Sequence, residues 1–123
     1  MTEIFLHHIS LIVSDVNKSL NFYSNFLNLE IDKTRPKLSC DGVWFKIGKQ
    51  QIHLLQVPNP DNSENRPIHG GSDRHIAFKV KKLNLFIARL NALKIPFQMS
   101  KSGRSALFCR DPDGNTFELI ESE

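Results

Sequence analysis

Cysteine is scarce in this sequence, which has only Cys40 and Cys109 in 123 residues. Two cysteines this far apart form neither a disulfide framework nor a zinc-ligand pair, and they agree with a protein of the reducing cytoplasm. Long apolar runs are also missing, since no stretch approaches the roughly 20 residues that cross a bilayer. The first residues, MTEIFLHH, include an early acidic residue and no basic segment, so we expect no signal peptide. These absences predict a cytoplasmic protein without a membrane partner.

The sequence also lacks a strong cluster of charges of one sign, although its net charge is +3. The densest basic group, Lys79, Lys81 and Lys82, has no interleaved aromatic residues that would stack on bases. We therefore expect no nucleic-acid partner. The composition, 40% hydrophobic and 24% charged, is that of an ordinary globular protein. A chain of this length predicts one domain, residues 1–123.

The sequence does contain the same order of elements twice. Hydrophobic periodicity in the first half predicts a strand at 5–13, a helix from 16 to 27, and strands at 43–47 and 51–57. In the second half it predicts a strand at 75–80, a helix at 83–93, and strands at 95–99, 106–110 and 116–121. The stretch HISLIVSDV (8–16) aligns with HIAFKVKKL (75–83), with His, Ile and Val in register.

This repeat predicts an α+β fold of two tandem βαβββ modules, about residues 4–57 and 74–121. The linker at 58–73 is rich in Pro, Asn, Asp and Gly, which is typical of a loop. One module cannot cover its own sheet face, so we expect two to form a curved mixed sheet or a pair of half-barrels around a metal cavity, with the helices outside. Such small modules leave a sheet edge open, which favours a homodimer.

Four potential metal ligands share one face of the predicted strands: His8, His53, His75 and Glu118. Residues i and i+2 point to the same side of a strand, and each half carries one donor on its first strand and one on its last. A single histidine on a strand is more often a hydrogen-bonded structural residue, but the repeated parity favours a metal site. Three imidazoles and a carboxylate suit Zn, Ni, Fe(II), Co or Mn better than Ca or Mg. His7 falls on the other face, and His69 lies in the loop.

Two segments resemble the vicinal oxygen chelate superfamily, which has the glyoxalase/bleomycin resistance/dioxygenase fold. They are HISLIVSDVNKSLNFYSNFLNLE, similar to its opening motif, and FCRDPDGNTFELIE, similar to its final hairpin. The superfamily includes glyoxalase I, methylmalonyl-CoA epimerase, extradiol dioxygenases, and the fosfomycin and bleomycin resistance proteins. PNPDNSENRPIHGGSDRH and SKSGRSALFCRDPDGN are similar to glyoxalase-like proteins of plants and of photosynthetic bacteria such as cyanobacteria.

The resemblance implies that His8, His75 and Glu118 are metal ligands. His53 falls where glyoxalase I has its other glutamate, so it is either a fourth ligand or a weak base. Glu118 is then the only carboxylate that can act as the catalytic base. In the polar loop SKSGRS, Arg104 is a candidate for holding an anionic group. Trp44 and Phe22 are candidates for lining a substrate pocket, with a place in the core as the alternative for each.

Three functions remain open at this point. The first is a metal-dependent lyase or isomerase of glyoxalase type, acting on a small substrate that chelates the metal through adjacent oxygens, thiol conjugates included. The second is an Fe(II)-dependent dioxygenase in which His8, His75 and Glu118 form the two-histidine, one-carboxylate triad and His53 lies outside it. The third is a resistance-type protein that sequesters a ligand without chemistry, which the intact set of donors disfavours.

Overall fold

The computed structural model describes residues 1–61 and 64–122. The chain divides into two compact units, Met1–Pro60 and Asp61–Glu123. Each unit contains one four-stranded sheet. In the described part of the chain, no helix is both long enough and apolar enough to cross a membrane.

The first unit begins with a strand and a helix and ends with a three-stranded antiparallel segment. Its elements are β1 (His8–Val13), α1 (Val16–Leu20), a π-helical segment (Asn21–Phe26), β2 (Glu30–Ile31), β3 (Gly42–Ile47) and β4 (Gln50–Gln56). The strand order is β1-β4-β3-β2, in which β1 runs parallel to β4 and the other neighbours are antiparallel. The parallel pair places the start of β1 beside the start of β4.

The helix of the first unit is α-helical for only its first part. Asp15 caps it by accepting hydrogen bonds from the main-chain N–H groups of Asn17 and Lys18. The helical turn then becomes wider. The N–H of Leu27 donates to the carbonyl of Phe22, five residues earlier, at 2.9 Å, which is the hydrogen bond of a π-helix. The wider turn directs Phe22 and its neighbours into the core, whereas a regular α-helix was predicted over this range.

One face of the first sheet packs under this helix. The buried side chains there include Val13, Tyr23, Phe26, Phe45, Ile52 and Leu54. Burying such side chains supplies most of the driving force for folding, about 25 cal/mol for each Å² of apolar surface removed from water. Because Ile52 and Leu54 take the core side of β4, His53 is left on the opposite face.

The second unit repeats the same topology. It contains a short 3-10 helix (Gly70–Ser72), β5 (Ile76–Val80), α2 (Leu83–Ala92), β6 (Phe97–Met99), β7 (Ala106–Arg110) and β8 (Thr116–Glu121). The strand order is β5-β8-β7-β6, with β5 parallel to β8. Phe117 and Leu119 of β8 are buried, so Glu118 between them points away from the core.

The turn between β7 and β8 fixes the position of Glu118 along its strand. Oδ1 of Asp111 accepts hydrogen bonds from the N–H groups of Asp113 and Asn115, both at 2.9 Å. Gly114 has a φ of +85°, a conformation that suits glycine. The resulting register pairs Phe108 with Glu118.

The predicted α+β fold with two βαβββ modules is confirmed, and it is built as two four-stranded sheets, one in each unit. Three predicted strand starts were too early. β1 starts at His8 because its first partner is Gln51, near the start of β4. β5 starts at Ile76, and β6 starts at Phe97, after Pro96, which has no N–H to donate. The two-residue strand β2 was not predicted.

Candidate metal and substrate site

Glu118 is a nearly buried carboxylate with two cationic or basic neighbours in the second unit. Its side chain is only 4% exposed. Nε2 of His75 lies 3.2 Å from its Oε1, and Nη2 of Arg104 lies 3.2 Å from its Oε2. A buried carboxylate requires such partners because its desolvation is costly. Each oxygen of Glu118 therefore faces one neighbour.

The hydrogen bonding of His75 directs a lone pair at Glu118. Nδ1 of His75 lies 2.9 Å from the main-chain oxygen of Asp73. A carbonyl only accepts, so Nδ1 carries the proton, and Nε2 of the neutral ring is an acceptor. Nε2 then faces a carboxylate oxygen, which is also an acceptor. This arrangement is stable only with a proton or a cation between the two atoms.

A cavity of about 340 Å³ opens beside this pair. Its lining combines His75 and Glu118 with His69 from one loop and with cationic and hydroxyl groups from another, namely Lys101, Ser102 and Arg104. The loops are joined by His69, whose Nε2 donates to the carbonyl of Met99 at 3.0 Å. The cavity therefore offers a small space with a carboxylate at one side and positive charge at its rim.

In the first unit, His53 is enclosed between two other rings. Its ring is stacked on Trp44, with centroids 4.1 Å apart and planes 6° apart, and on His8, at 4.1 Å and 16°. His53 is 7% exposed, while His8 is exposed. The stack brings the two donors predicted for this half side by side.

A series of hydrogen bonds through Gln51 to Asp32 orients His53. Nε2 of His53 donates to Oε1 of Gln51 at 2.9 Å, and Nε2 of Gln51 donates to Oδ2 of Asp32 at 2.7 Å. Hydrogen bonds from Thr34 lower the pKa of Asp32, which keeps it ionised and accepting. Burial, with the charges of His8 and other neighbouring cationic groups, lowers the pKa of His53. His53 is thereby held neutral with its lone pair on Nδ1.

His7 lies closer to the first pair than strand parity suggests. Nδ1 of His7 is 2.8 Å from Nδ1 of His8, and the two rings meet edge to face at 5.0 Å. One of these nitrogens donates to the other. Nε2 of His8 takes no part in this contact.

The predicted site residues thus form two groups. His8, His53 and Trp44 lie together in the first unit, and His75, Glu118 and Arg104 lie together in the second. Across residues 1–61 and 64–122, no group of three or more His, Cys, Asp or Glu side chains lies close enough together to hold a metal ion. The site with all four ligands stays a prediction. Phe22 is 1% exposed, among the aromatic side chains of the core.

Sequence reasoning missed three residues that hold the predicted ligands. Gln51 and Asp32 orient His53, and Asp73 fixes His75 through its carbonyl. Gln51 was detectable, because it stands two residues before His53 and therefore shares its face of β4. Asp32 and Asp73 lie outside the regular strands, where periodicity gives no signal.

The chain belongs to the Glyoxalase/Bleomycin resistance protein/Dioxygenase superfamily, whose sequence profile matches residues 5–119. It is similar to a protein of Arabidopsis thaliana named Glyoxylase I 4, with 27% identity over 96% of this chain and 71% of that protein. The superfamily includes glyoxalase I enzymes and fosfomycin resistance proteins.

Solved structures have the same fold. Lactoylglutathione lyase from Agrobacterium tumefaciens matches with a TM-score of 0.66 and 26% identity, covering 96% of this chain and 93% of that one. The fosfomycin resistance protein FosX from Listeria monocytogenes, complexed with Mn(II) and sulfate, matches with a TM-score of 0.74 and 23% identity over 100% and 93% of the two chains.

Proposed function

We propose that this protein is a metal-dependent lyase or isomerase of glyoxalase type. Its substrate is a small molecule with two adjacent oxygen atoms, and thiol conjugates belong to this class. The observation that carries the proposal is the setting of Glu118, a nearly buried carboxylate that faces His75, Arg104 and a cavity of about 340 Å³.

The donor set fits a borderline divalent ion, Zn, Ni, Fe(II), Co or Mn. The facing atoms of His75 and Glu118 call for a proton or a cation between them, and a metal ion can take that place. Nε2 of His8 has a lone pair when Nδ1 of His8 donates to His7, and His53 has a lone pair on Nδ1, so each can then supply a further nitrogen. We propose that the two pairs together bind one ion. Such an ion would supply Lewis-acid stabilisation of the negative charge that develops on the substrate oxygens.

Glu118 is the group that moves the proton in this proposal. It takes a proton from one carbon of the substrate and returns it to the neighbouring carbon, which is general acid–base catalysis. A carboxylate held on one side by His75 and reached from the cavity on the other is suitably placed for both steps. No other carboxylate lines the cavity among the described residues.

Arg104 holds the substrate in place. Its side chain is 59% exposed, and one nitrogen of its guanidinium group contacts Glu118 at 3.2 Å. A metal ion held by Glu118 would neutralise that carboxylate, and the guanidinium of Arg104 would then be available to bind an anionic group. Lys101 and Ser102 on the same loop add positive charge and a hydroxyl donor. These groups favour a substrate that carries a carboxylate or a similar anion.

The test measures the formation of the lactoyl thioester from methylglyoxal and glutathione by its absorbance. The protein is first loaded with one of the proposed ions, Zn, Ni, Fe(II), Co or Mn. We expect Glu118→Gln to keep the amide oxygen in place and to lower the rate by about 10²–10⁴-fold, because an amide cannot take the proton. His53→Glu should raise the rate, because it restores the second carboxylate of glyoxalase I. Glu30→Gln, which removes an exposed ion pair with Lys46, is the matched control and should change nothing.

No turnover by any metal-loaded variant would eliminate the hemithioacetal as the substrate. Turnover that survives Glu118→Gln unchanged would refute the role of Glu118 as the base.

An Fe(II)-dependent dioxygenase is the second candidate, and the setting of His53 favours it. Nε2 of His53 is occupied by Gln51, and its ring is closed in between Trp44 and His8. With His53 outside the coordination shell, His8, His75 and Glu118 form a two-histidine, one-carboxylate set. Metal analysis of protein purified without a chelating column separates the candidates. Iron together with oxygen consumption supports the dioxygenase, and zinc or nickel supports the lyase or isomerase.

A further inference from the structure

One carboxylate oxygen in the second unit is shared by two arginines. Oδ2 of Asp73 accepts hydrogen bonds from Nε of Arg66 at 2.7 Å and from Nη1 of Arg110 at 2.8 Å, and Nη2 of Arg66 lies 2.7 Å from the same atom. The side chain of Asp73 is 9% exposed, and those of Arg66 and Arg110 are 19% and 24% exposed. Charge-assisted hydrogen bonds this short and this sheltered are strong. We call Arg66, Asp73 and Arg110 the arginine clamp.

The arginine clamp is anchored to the hairpin that carries Glu118. Nη1 of Arg110 also donates to Oγ1 of Thr116 at 2.6 Å and to the carbonyl of Gly114 at 3.0 Å. Its Nη2 donates to the carbonyl of Pro67 at 2.6 Å. Arg110 is the last residue of β7, and Thr116 is the first of β8. Asp73 is therefore tied to the strand on which Glu118 lies.

The main chain of Asp73 acts on His75. Its carbonyl accepts the hydrogen bond from Nδ1 of His75 at 2.9 Å. The side-chain Oδ1 of Asp73 accepts from the N–H of Arg74 at 2.9 Å, which fixes the peptide between Asp73 and Arg74. Because the carboxylate is held from both sides, the carbonyl has little freedom to turn away from the imidazole ring.

We propose that Asp73, held by Arg66 and Arg110, is a positioning residue that keeps the proton of His75 on Nδ1, with Nε2 aimed at Oε1 of Glu118, where these two residues would hold a metal ion. The inference rests on the proposed metal site. Nitrogen ligands of metals are commonly fixed in this way by a hydrogen bond from the other ring nitrogen, and loss of the partner typically costs about 10–100-fold in metal affinity. The alternative is that the arginine clamp only attaches the loop at 64–74 to the β7–β8 hairpin and has no effect on His75.

The first experiment reads the tautomer in metal-free protein. At about pH 8, where an ordinary histidine is neutral, the ¹⁵N shifts of His75 report which nitrogen carries the proton. We expect a proton on Nδ1 throughout the wild-type population, with or without a second proton between Nε2 and Glu118, and a fraction of molecules without it in Asp73→Ala and Arg110→Met. Arg74→Ala is the matched control, because it removes a neighbouring positive charge whose ion pair with Asp61 is exposed. It should leave the tautomer unchanged.

The second experiment measures Co(II) binding by competition with a chromophoric chelator. Asp73→Ala and Arg110→Met should bind Co(II) about 10–100-fold more weakly than the wild type, and Arg74→Ala should bind as the wild type does. If Asp73→Ala fails to fold, Arg66→Gln, which removes one of the two arginines, replaces it. Variants that unfold at a lower temperature but keep the Nδ1–H tautomer and the Co(II) affinity would overturn the proposal.

The two experiments also separate this inference from the proposed function. A wild type that binds no Co(II) but shows the Nδ1–H tautomer only while the arginine clamp is intact would refute the metal site and retain the effect of Asp73 on His75. A wild type that binds Co(II) through His75 with no dependence on Asp73 would refute the positioning role alone.

Discussion

The indole ring of Trp44 lies flat against the imidazole ring of His53, with centroids 4.1 Å apart and planes 6° apart. Trp44 is the only tryptophan of the chain. Its fluorescence therefore reports the state of His53 directly, because a protonated imidazole in contact with an excited indole quenches its emission. This contact makes the first unit accessible to measurement without a label.

The fluorescence of chelator-treated protein should fall as the pH is lowered, with a midpoint below 6.5. Burial is the main cause that lowers the pKa of His53 from its ordinary value of 6.5, and the charge of His8 is the next. The ring stays neutral at pH values where a free histidine is already protonated. His8→Ala removes one of the charges that lower the pKa of His53 and should move the midpoint upward. His53→Leu should abolish the transition, and a transition that survives this change would refute the assignment.

The same titration predicts a loss of stability in acid. The unfolded chain takes up a proton at His53 near pH 6.5, whereas the folded chain takes it up only at a lower pH. Between these two values the unfolded state binds more protons, so the free energy of unfolding decreases as the pH falls. Chemical denaturation at a series of pH values should show a smaller decrease for His53→Leu than for the wild type.

Strand parity was sufficient to predict which side chains share a sheet face. His8 contacts His53, and His75 contacts Glu118. Side chains alternate along a strand, so burial of Ile52 and Leu54 places His53 on the opposite face of its sheet. Burial of Phe117 and Leu119 does the same for Glu118. The sequence also predicted both modules and their order. These features depend on periodicity alone.

Features that depend on local hydrogen bonds were not predictable in this way. The wide π-helical turn at Asn21–Phe26 keeps the apolar spacing of an α-helix, so the pattern does not distinguish the two. The two residues of β2 are too few to show alternation. The arginine clamp joins positions far apart in the chain, and no local pattern marks them as partners.

Metal retention should depend on the predicted ligands and not on their neighbour. His75→Ala or Glu118→Ala removes one direct bond from a site of four and should abolish retention of the ion, because too few donors remain. His7→Ala removes the hydrogen bond and the ring contact with His8 but no predicted ligand, and should leave the ion in place. Metal content after gel filtration measures both. Loss of the metal in His7→Ala, with retention in His8→Ala, would show that the ligand is His7.

The two cysteines should differ sharply in reactivity. Burial raises the pKa of Cys109 to about 12, with a smaller effect from Asp111, and its side chain is 2% exposed. Cys40 is half-buried in the loop before β3. Because only the thiolate reacts, iodoacetamide should label Cys40 in the native protein and Cys109 only after unfolding. Mass spectrometry of Cys40→Ser should find no label under native conditions, and labelling there would contradict the buried position of Cys109.

Mixing two variants that each lack one proposed ligand determines whether the proposed metal site is formed within one chain or by two chains of a dimer. We expect a homodimer, since among the described residues β1 lies at the edge of the first sheet and β5 at the edge of the second. His8→Ala damages the first pair of ligands, and Glu118→Ala damages the second. Suppose that each site takes one pair from each chain of the dimer. A heterodimer of the two variants then contains one site with all four ligands and one with neither pair intact.

Random assortment of the two chains makes about half of the dimers heterodimers, so unfolding and refolding them together should restore metal binding to about a quarter of the sites. If each site takes both pairs from the same chain, every site stays damaged and no binding returns. Mixing His8→Ala with His53→Ala is the control, because both changes fall on the same pair and no arrangement restores it. Sedimentation of the wild type as a monomer at high micromolar concentration would contradict the homodimer itself.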